Sequence, residues 1–110
     1  MNSMSFHAVT TNVFHAISDP TRRALIDMLA DREQPVNSLC EKFDMTQPAI
    51  SQHLRVLRVA GLVNERRSGR QRIYKLNPEP LKEVSDWVSR YELFWQNKLT
   101  ALSKFLEQEQ

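Results

Sequence analysis

Apolar positions recur along this chain in two rhythms, one helical and one extended. Phe6, Val9, Val13 and Ile17 fall on one stripe and predict a first helix over residues 6–17. Ser18-Asp19-Pro20-Thr21 stops it and restarts the chain, with Asp19 as N-cap and Pro20 at the first helical position. The second helix turns Leu25, Met28 and Leu29 inward, until Pro35 interrupts the pattern. A short helix follows with Val36, Leu39 and Phe43 on one face, and Asp44-Met45 turns the chain into the next. There Thr46 is a capping residue, and Pro48 lies in the first turn, where a missing N–H costs nothing. Ile50, Leu54 and Leu57 recur at i, i+4, i+7, and Gly61 is placed to end the helix. The opposite face carries Gln47, Ser51, Gln52 and Arg55.

Beyond Gly61 the rhythm shortens. Leu62 to Arg67 and Arg70 to Leu76 are short runs around Ser68-Gly69, which predicts a β-hairpin. Alternation puts Tyr74 and Leu76 on one face, and Ile73 and Lys75 on the other. From Leu81 the helical rhythm returns through Val84, Val88, Tyr91, Trp95, Leu99, Leu102 and Leu106, widened by Trp87, Phe94 and Phe105. Steps of three and four persist for about seven turns, roughly 40 Å of helix. A domain this small cannot cover so long an apolar face alone. The first half is expected on its own domain and the second half against another copy. Phe6, Val9, Val13, Val88, Tyr91, Trp95, Leu99 and Leu102 are therefore the expected dimer contacts, shared between the two ends of the chain.

At 110 residues the chain reads as one domain spanning 1–110. Residues 1–17 and 79–110 are the expected dimerisation helices, 36–60 the helix-turn-helix and 62–77 the hairpin. No apolar run is long enough to span a membrane, and Met1 to Phe6 lacks the start of a signal peptide. The single cysteine, Cys40, leaves no intramolecular disulfide and fits a reducing, cytoplasmic setting.

Charge narrows the class of partner. Seven Lys and Arg lie between Asp44 and Pro78 against two acids, a local net charge of +5 in a chain of +2. Arg66, Arg67, Arg70 and Arg72 crowd the hairpin tip, where like charges repel and folding offers no reason for them. A polyanion does. A short helix showing Gln, Ser and Arg near its N-terminal end suits a major groove, and a basic hairpin after it is the order of a winged helix-turn-helix. The expected fold is mainly α with a small β-hairpin wing: four helices, the two-stranded wing and one long last helix. Two copies related by a two-fold axis would meet half-sites of a palindromic duplex about 34–36 Å apart. With two glycines there is no Gly-rich cofactor loop, and no nucleophile with its acid or base is evident, so an enzyme is not expected.

The stretches Phe14 to Ile26, Gln47 to Leu54, Leu57 to Leu62 and Tyr74-Lys-Leu76 resemble the ArsR family of bacterial winged-helix repressors. The resemblance runs from about residue 6 into the last helix. It implies a homodimeric transcription factor that binds double-stranded DNA, usually a repressor released by a signal. By position it implies base contacts from Gln47, Pro48, Ser51 and Gln52, with Thr46, His53 and Arg55 beside them. It also implies phosphate or minor-groove contacts from Arg66, Arg67, Arg70 and Arg72.

The chain departs from the metal-sensing members. Where the arsenic-type site needs closely spaced thiolates stand Pro35, Val36 and Asn37, with only Cys40 nearby. The zinc-type site needs histidine on the last helix, and none follows His53. The resemblance is to the metal-free branch of small autorepressors, without cofactor or metal, answering to an unknown inducer or partner protein. Two other readings are an intersubunit group of His7, His15, Glu83 and Asp86, and a redox role for Cys40. A third is a winged helix that serves as a protein adaptor.

Overall fold

The computed structural model describes residues 12–109. Asn12 has extended backbone, and its side chain accepts from the His15 N–H, so it caps a four-residue helix, α1 (Val13–Ala16). The 6–17 helix expected from the stripe therefore does not run through Asn12, and Phe6, His7 and Val9 lie outside the described residues. Asp19 caps α2 (Pro20–Asp31) by accepting the Arg22 N–H at 3.0 Å, with Pro20 leading the helix. A two-residue strand, β1 (Gln34–Pro35), comes next, then α3 (Val36–Cys40). Phe43 lies beyond the end of α3 yet still packs against the core.

Thr46 caps α4 (Gln47–Val59), its hydroxyl accepting the Ala49 N–H at 3.2 Å. The helix ends in a Schellman arrangement: Leu62 N–H reaches Leu57 O and Gly61 N–H reaches Arg58 O, both at 2.9 Å. Gly61 has φ +80°, which a side chain would strain. Asn77 closes this corner, donating from its side chain to Gly61 O at 2.9 Å and from its backbone to Leu62 O at 2.7 Å.

The hairpin is β2 (Val63–Ser68) against β3 (Gln71–Leu76), paired from Val63↔Leu76 to Ser68↔Gln71. Its loop is thus Gly69-Arg70 rather than Ser68-Gly69, with Gly69 at φ +64° in the first loop position. Antiparallel pairing of Gln34 with Tyr74 and Pro35 with Ile73 adds β1, giving a three-stranded sheet in the order β1-β3-β2. Ile73 and Tyr74, on opposite faces of β3, are both buried, and β3 is the central strand. Gln34 itself is buried, and its amide donates to Met28 O at 2.9 Å.

The core gathers Val13 and Ala16 of α1, Leu25, Ile26 and Leu29 of α2, and Val36 and Leu39 of α3. Ile50, Leu54 and Leu57 of α4 join them, with Leu62, Val63 and Tyr74 from the wing. The single long helix expected over 79–110 is two helices, α5 (Leu81–Ser89) and α6 (Glu92–Gln108). At the break, Arg90 and Tyr91 bond three residues back, to Trp87 O and Val88 O, and Tyr91, at φ −110°, ψ 0°, is the N-cap of α6. No glycine or proline marks it, and the apolar steps of three and four continue across it. Leu81 and Val84 of α5 pack on the core, while α6 buries no residue. Among the described residues no helix is long and apolar enough to cross a membrane.

Candidate nucleic-acid interface

Since Ile50, Leu54 and Leu57 are fully buried, the geometry of α4 sends Gln47, Pro48, Gln52 and Arg55 to the opposite, exposed side. Ser51 is half-buried on the same side. Pro48, Ser51, Gln52, Arg55 and Arg58 form one wall of a cleft of about 340 Å³, and Glu65, Arg72 and Tyr74 of the wing form the other. Gln47 opens instead toward the wing loop, sharing a smaller pocket with Asn37, Arg70 and Gln71.

His53 is placed differently from its neighbours. It is half-buried, and its Nδ1 lies 3.1 Å from an Arg22 guanidinium nitrogen and 3.9 Å from the Asp19 carboxylate. Because the guanidinium only donates, Nδ1 accepts in this arrangement. Arg22 is 9% exposed and also donates to Ala16 O at 2.7 Å and His15 O at 3.1 Å, carbonyls at the end of α1 that no later turn of that helix satisfies. One buried arginine thus ties α1, the N-terminus of α2 and the inner flank of α4. Burial works to raise the Asp19 pKa, but the Arg22 N–H and the nearby Arg22 charge bring it below the ordinary value.

The wing arginines divide into two kinds. Arg66 pairs with Glu33, and Arg72 lies 3.5 Å from Glu65, so folding does give these two a reason, contrary to expectation. Among the described residues Arg55, Arg67 and Arg70 have no carboxylate partner. Glu65, in sequence merely one acid among the arginines, is a hub of the wing. It accepts from Arg58 at 3.1 Å and from the Tyr74 hydroxyl at 2.6 Å as well as facing Arg72. The Tyr74 hydrogen bond, opposed by burial and helped by Arg58, Arg72 and Arg67, holds Glu65 below the usual carboxylate range. Burial, with the adjacent Glu65 carboxylate, pushes Tyr74 up to about 12. A lone acid inside a run of arginines was the available signal for this network, and the alternation of β3 was the signal for Tyr74.

Among the described residues of one chain, the metal and redox candidates do not gather, and His7 lies outside those residues. His15 is exposed, Asp86 pairs with Lys82 at 3.3 Å, and among the described residues no three His, Cys, Asp or Glu side chains stand together as a metal group. Cys40 is half-buried against the core, and burial pushes its thiol pKa up, opposite to what a reactive thiolate needs.

The family model described as bacterial regulatory protein, arsR family, matches residues 19–65. The transcriptional repressor SdpR of Bacillus subtilis is 36% identical over 80 residues, covering 73% of this chain and 89% of that protein. The chain belongs to the arsR family. Within that family, the HTH-type transcriptional regulator Rv2034 of Mycobacterium tuberculosis is 34% identical over 106 residues, 96% of both chains. Among solved structures, an ArsR-like transcriptional regulator from Rhodococcus sp. RHA1 superposes with a TM-score of 0.69 at 27% identity, over 98% of both chains. These arsR-family relatives are transcriptional regulators rather than enzymes, and the three-stranded sheet with its hairpin is the wing of a winged-helix fold. ArsR-family membership makes this chain a transcriptional regulator of the DNA-binding kind.

Proposed function

We propose that the protein is a homodimeric, sequence-specific repressor in which α4 reads the major groove and the wing holds the flanking backbone. The observation that carries this is the exposed row on α4 facing a basic wing across one cleft. Gln47, Ser51 and Gln52 have the donors, acceptors and reach for base edges, and Pro48 can offer apolar contact to a thymine methyl. Arg55 stands next to them, and the exposed Arg67 and Arg70 supply the phosphate or minor-groove contacts, with Arg66 and Arg72 behind. Thr46 fixes the start of the reading helix, and His53 acts from its inner flank through Arg22 rather than at the groove.

The second copy is proposed to cover α6, whose Trp95, Leu99 and Leu102 are each more than half exposed, together with Val88 and Tyr91 at the end of α5. Val13 is 2% exposed within its own protomer and drops out of that face. A cytoplasmic setting and release by a non-metal signal complete the reading.

The test is titration of chelator-treated protein onto duplex from its own upstream region, with and without zinc or arsenite, over a range of salt. Tight binding that falls steeply with salt and ignores both ions is the expected result. Negligible DNA affinity at physiological salt would favour a protein adaptor, and release by either ion would restore a metal sensor.

A further inference from the structure

An acid on the floor of a cleft meant for phosphates is an expensive choice, because it repels the partner the cleft is built to hold. Glu65 is only 21% exposed and has three donors around it: Arg58 from the last turn of α4, Arg72 from β3, and the Tyr74 hydroxyl from the same strand. The two arginines are far more open, at 47% and 38%, and both line the cleft. They can therefore swing from the carboxylate to an arriving phosphate, whereas Glu65 cannot leave. Stability alone does not call for this arrangement, since ion pairs this exposed contribute little.

We propose that Glu65 is a specificity-determining charge latch: it occupies Arg58 and Arg72 in the free protein and yields them to backbone phosphates only when α4 is seated in the correct groove. This rests on the reading that α4 and the wing grip DNA. On a wrong sequence the poorly seated helix leaves the two arginines on Glu65, so only Arg55, Arg67, Arg70 and their neighbours hold the duplex. On the right one, close approach of the backbone competes them away. Glu65 thereby suppresses non-specific affinity more than specific affinity, a case of discrimination by a repulsive element.

The experiment uses the full chain, a duplex that it selects from a random pool, and a scrambled duplex of equal length, titrated across salt. Glu65→Gln keeps the shape and the Tyr74 hydrogen bond while releasing the arginines, and circular dichroism melts verify that it folds. The expected result is a three- to tenfold (order of magnitude) gain on the scrambled duplex, a salt slope there steeper by about one per released arginine, and a smaller ratio of selected to scrambled affinity. In the Arg58→Gln/Arg72→Gln background the same Glu65→Gln change should give a clearly smaller gain, that of lost direct repulsion alone. Unchanged affinities, equal losses on both duplexes, or a gain undiminished without the two arginines would each overturn the latch. Failure of the unaltered protein to select any duplex would instead overturn the DNA reading itself, and the latch with it.

Discussion

In α4 the positions Ile50, Leu54 and Leu57 are fully buried within one protomer, whereas in α6 Trp95 and Leu99 stand 62% and 63% exposed. Both helices follow steps of three and four, and α6 is the richer in large side chains. The difference lies in what surrounds them. Helix α4 is enclosed by α1, α2, α3 and the wing, but among the described residues the main neighbour of α6 is α5. Amphipathic periodicity therefore states that a face will be covered, not by whom. Exposed aromatic side chains in a row this long are the mark of an interface. Edge-to-face contacts link Phe14 with Trp87, Trp87 with Tyr91 and Phe94 with Trp95.

The comparison is broken most directly by truncating each stripe in turn. Leu54→Ala should cost about 2–5 kcal/mol of folding stability at any protein concentration, measured by denaturant unfolding. Leu99→Ala or Trp95→Ala should barely change the fold of one chain but raise the dimer dissociation constant by tenfold or more, an order-of-magnitude expectation for a buried anchor. Sedimentation velocity and melting at several concentrations separate the two effects. A dimer that stays intact after Trp95→Ala would move the seam away from α6.

On the outer face of α4 the expected effects are smaller and of two kinds. Gln52→Ala should cost about 1–3 kcal/mol on the selected duplex and relax preference at one base position. Arg67→Ala should weaken all duplexes alike and reduce the salt slope by about one. Equal losses on selected and random duplex for Gln52→Ala would remove it from base reading.

The smallest expected effects concern pH and lie wholly in the packed half. Tyr74 has a folded pKa of about 12, raised above its ordinary 10.0, so the neutral phenol is favoured in the fold. Its contribution is fully present below about pH 10 and is lost as pH rises toward 12. Alkaline melts should lose about 1–2 kcal/mol over that window, and Tyr74→Phe should flatten the loss. Glu65 has the opposite sign: its lowered pKa stabilises above the ordinary carboxylate value of 4.5, and that contribution disappears as pH falls below it. Glu65→Gln should blunt the acid-side loss, read from melting temperatures between neutral and acid pH.

Much of this was legible in the chain because it is written by near neighbours. Asp19 and Thr46 as N-caps, Pro20 and Pro48 in first turns, and Gly61 at a helix end each depend on residues within one turn. The outward row Gln47, Ser51, Gln52 and Arg55 follows from the inward row once helix and phase are known. What could not be read has distant causes. Gln34-Pro35 is too short to announce a strand, and becomes one only because β3 lies alongside. The α5–α6 break leaves the apolar steps intact, so periodicity passes over it. His53 belongs by position to α4, yet its partner Arg22 is 31 residues away.

The sequence by itself determined the helix caps at Asp19, Thr46 and Gly61, which faces are apolar, and that positive charge collects at the hairpin. Those properties come from local hydrogen bonding, steric preference and the periods of helix and strand. Tertiary structure alone decided how the charges divide. Folding set Glu33 against Arg66, 33 residues apart, and put Glu65 where Arg58, Arg72 and Tyr74 converge, leaving Arg67 and Arg70 open. Ion pairs and hydrogen bonds act over a few ångströms, and only the packed sheet and helices set such distances between residues far apart in the chain.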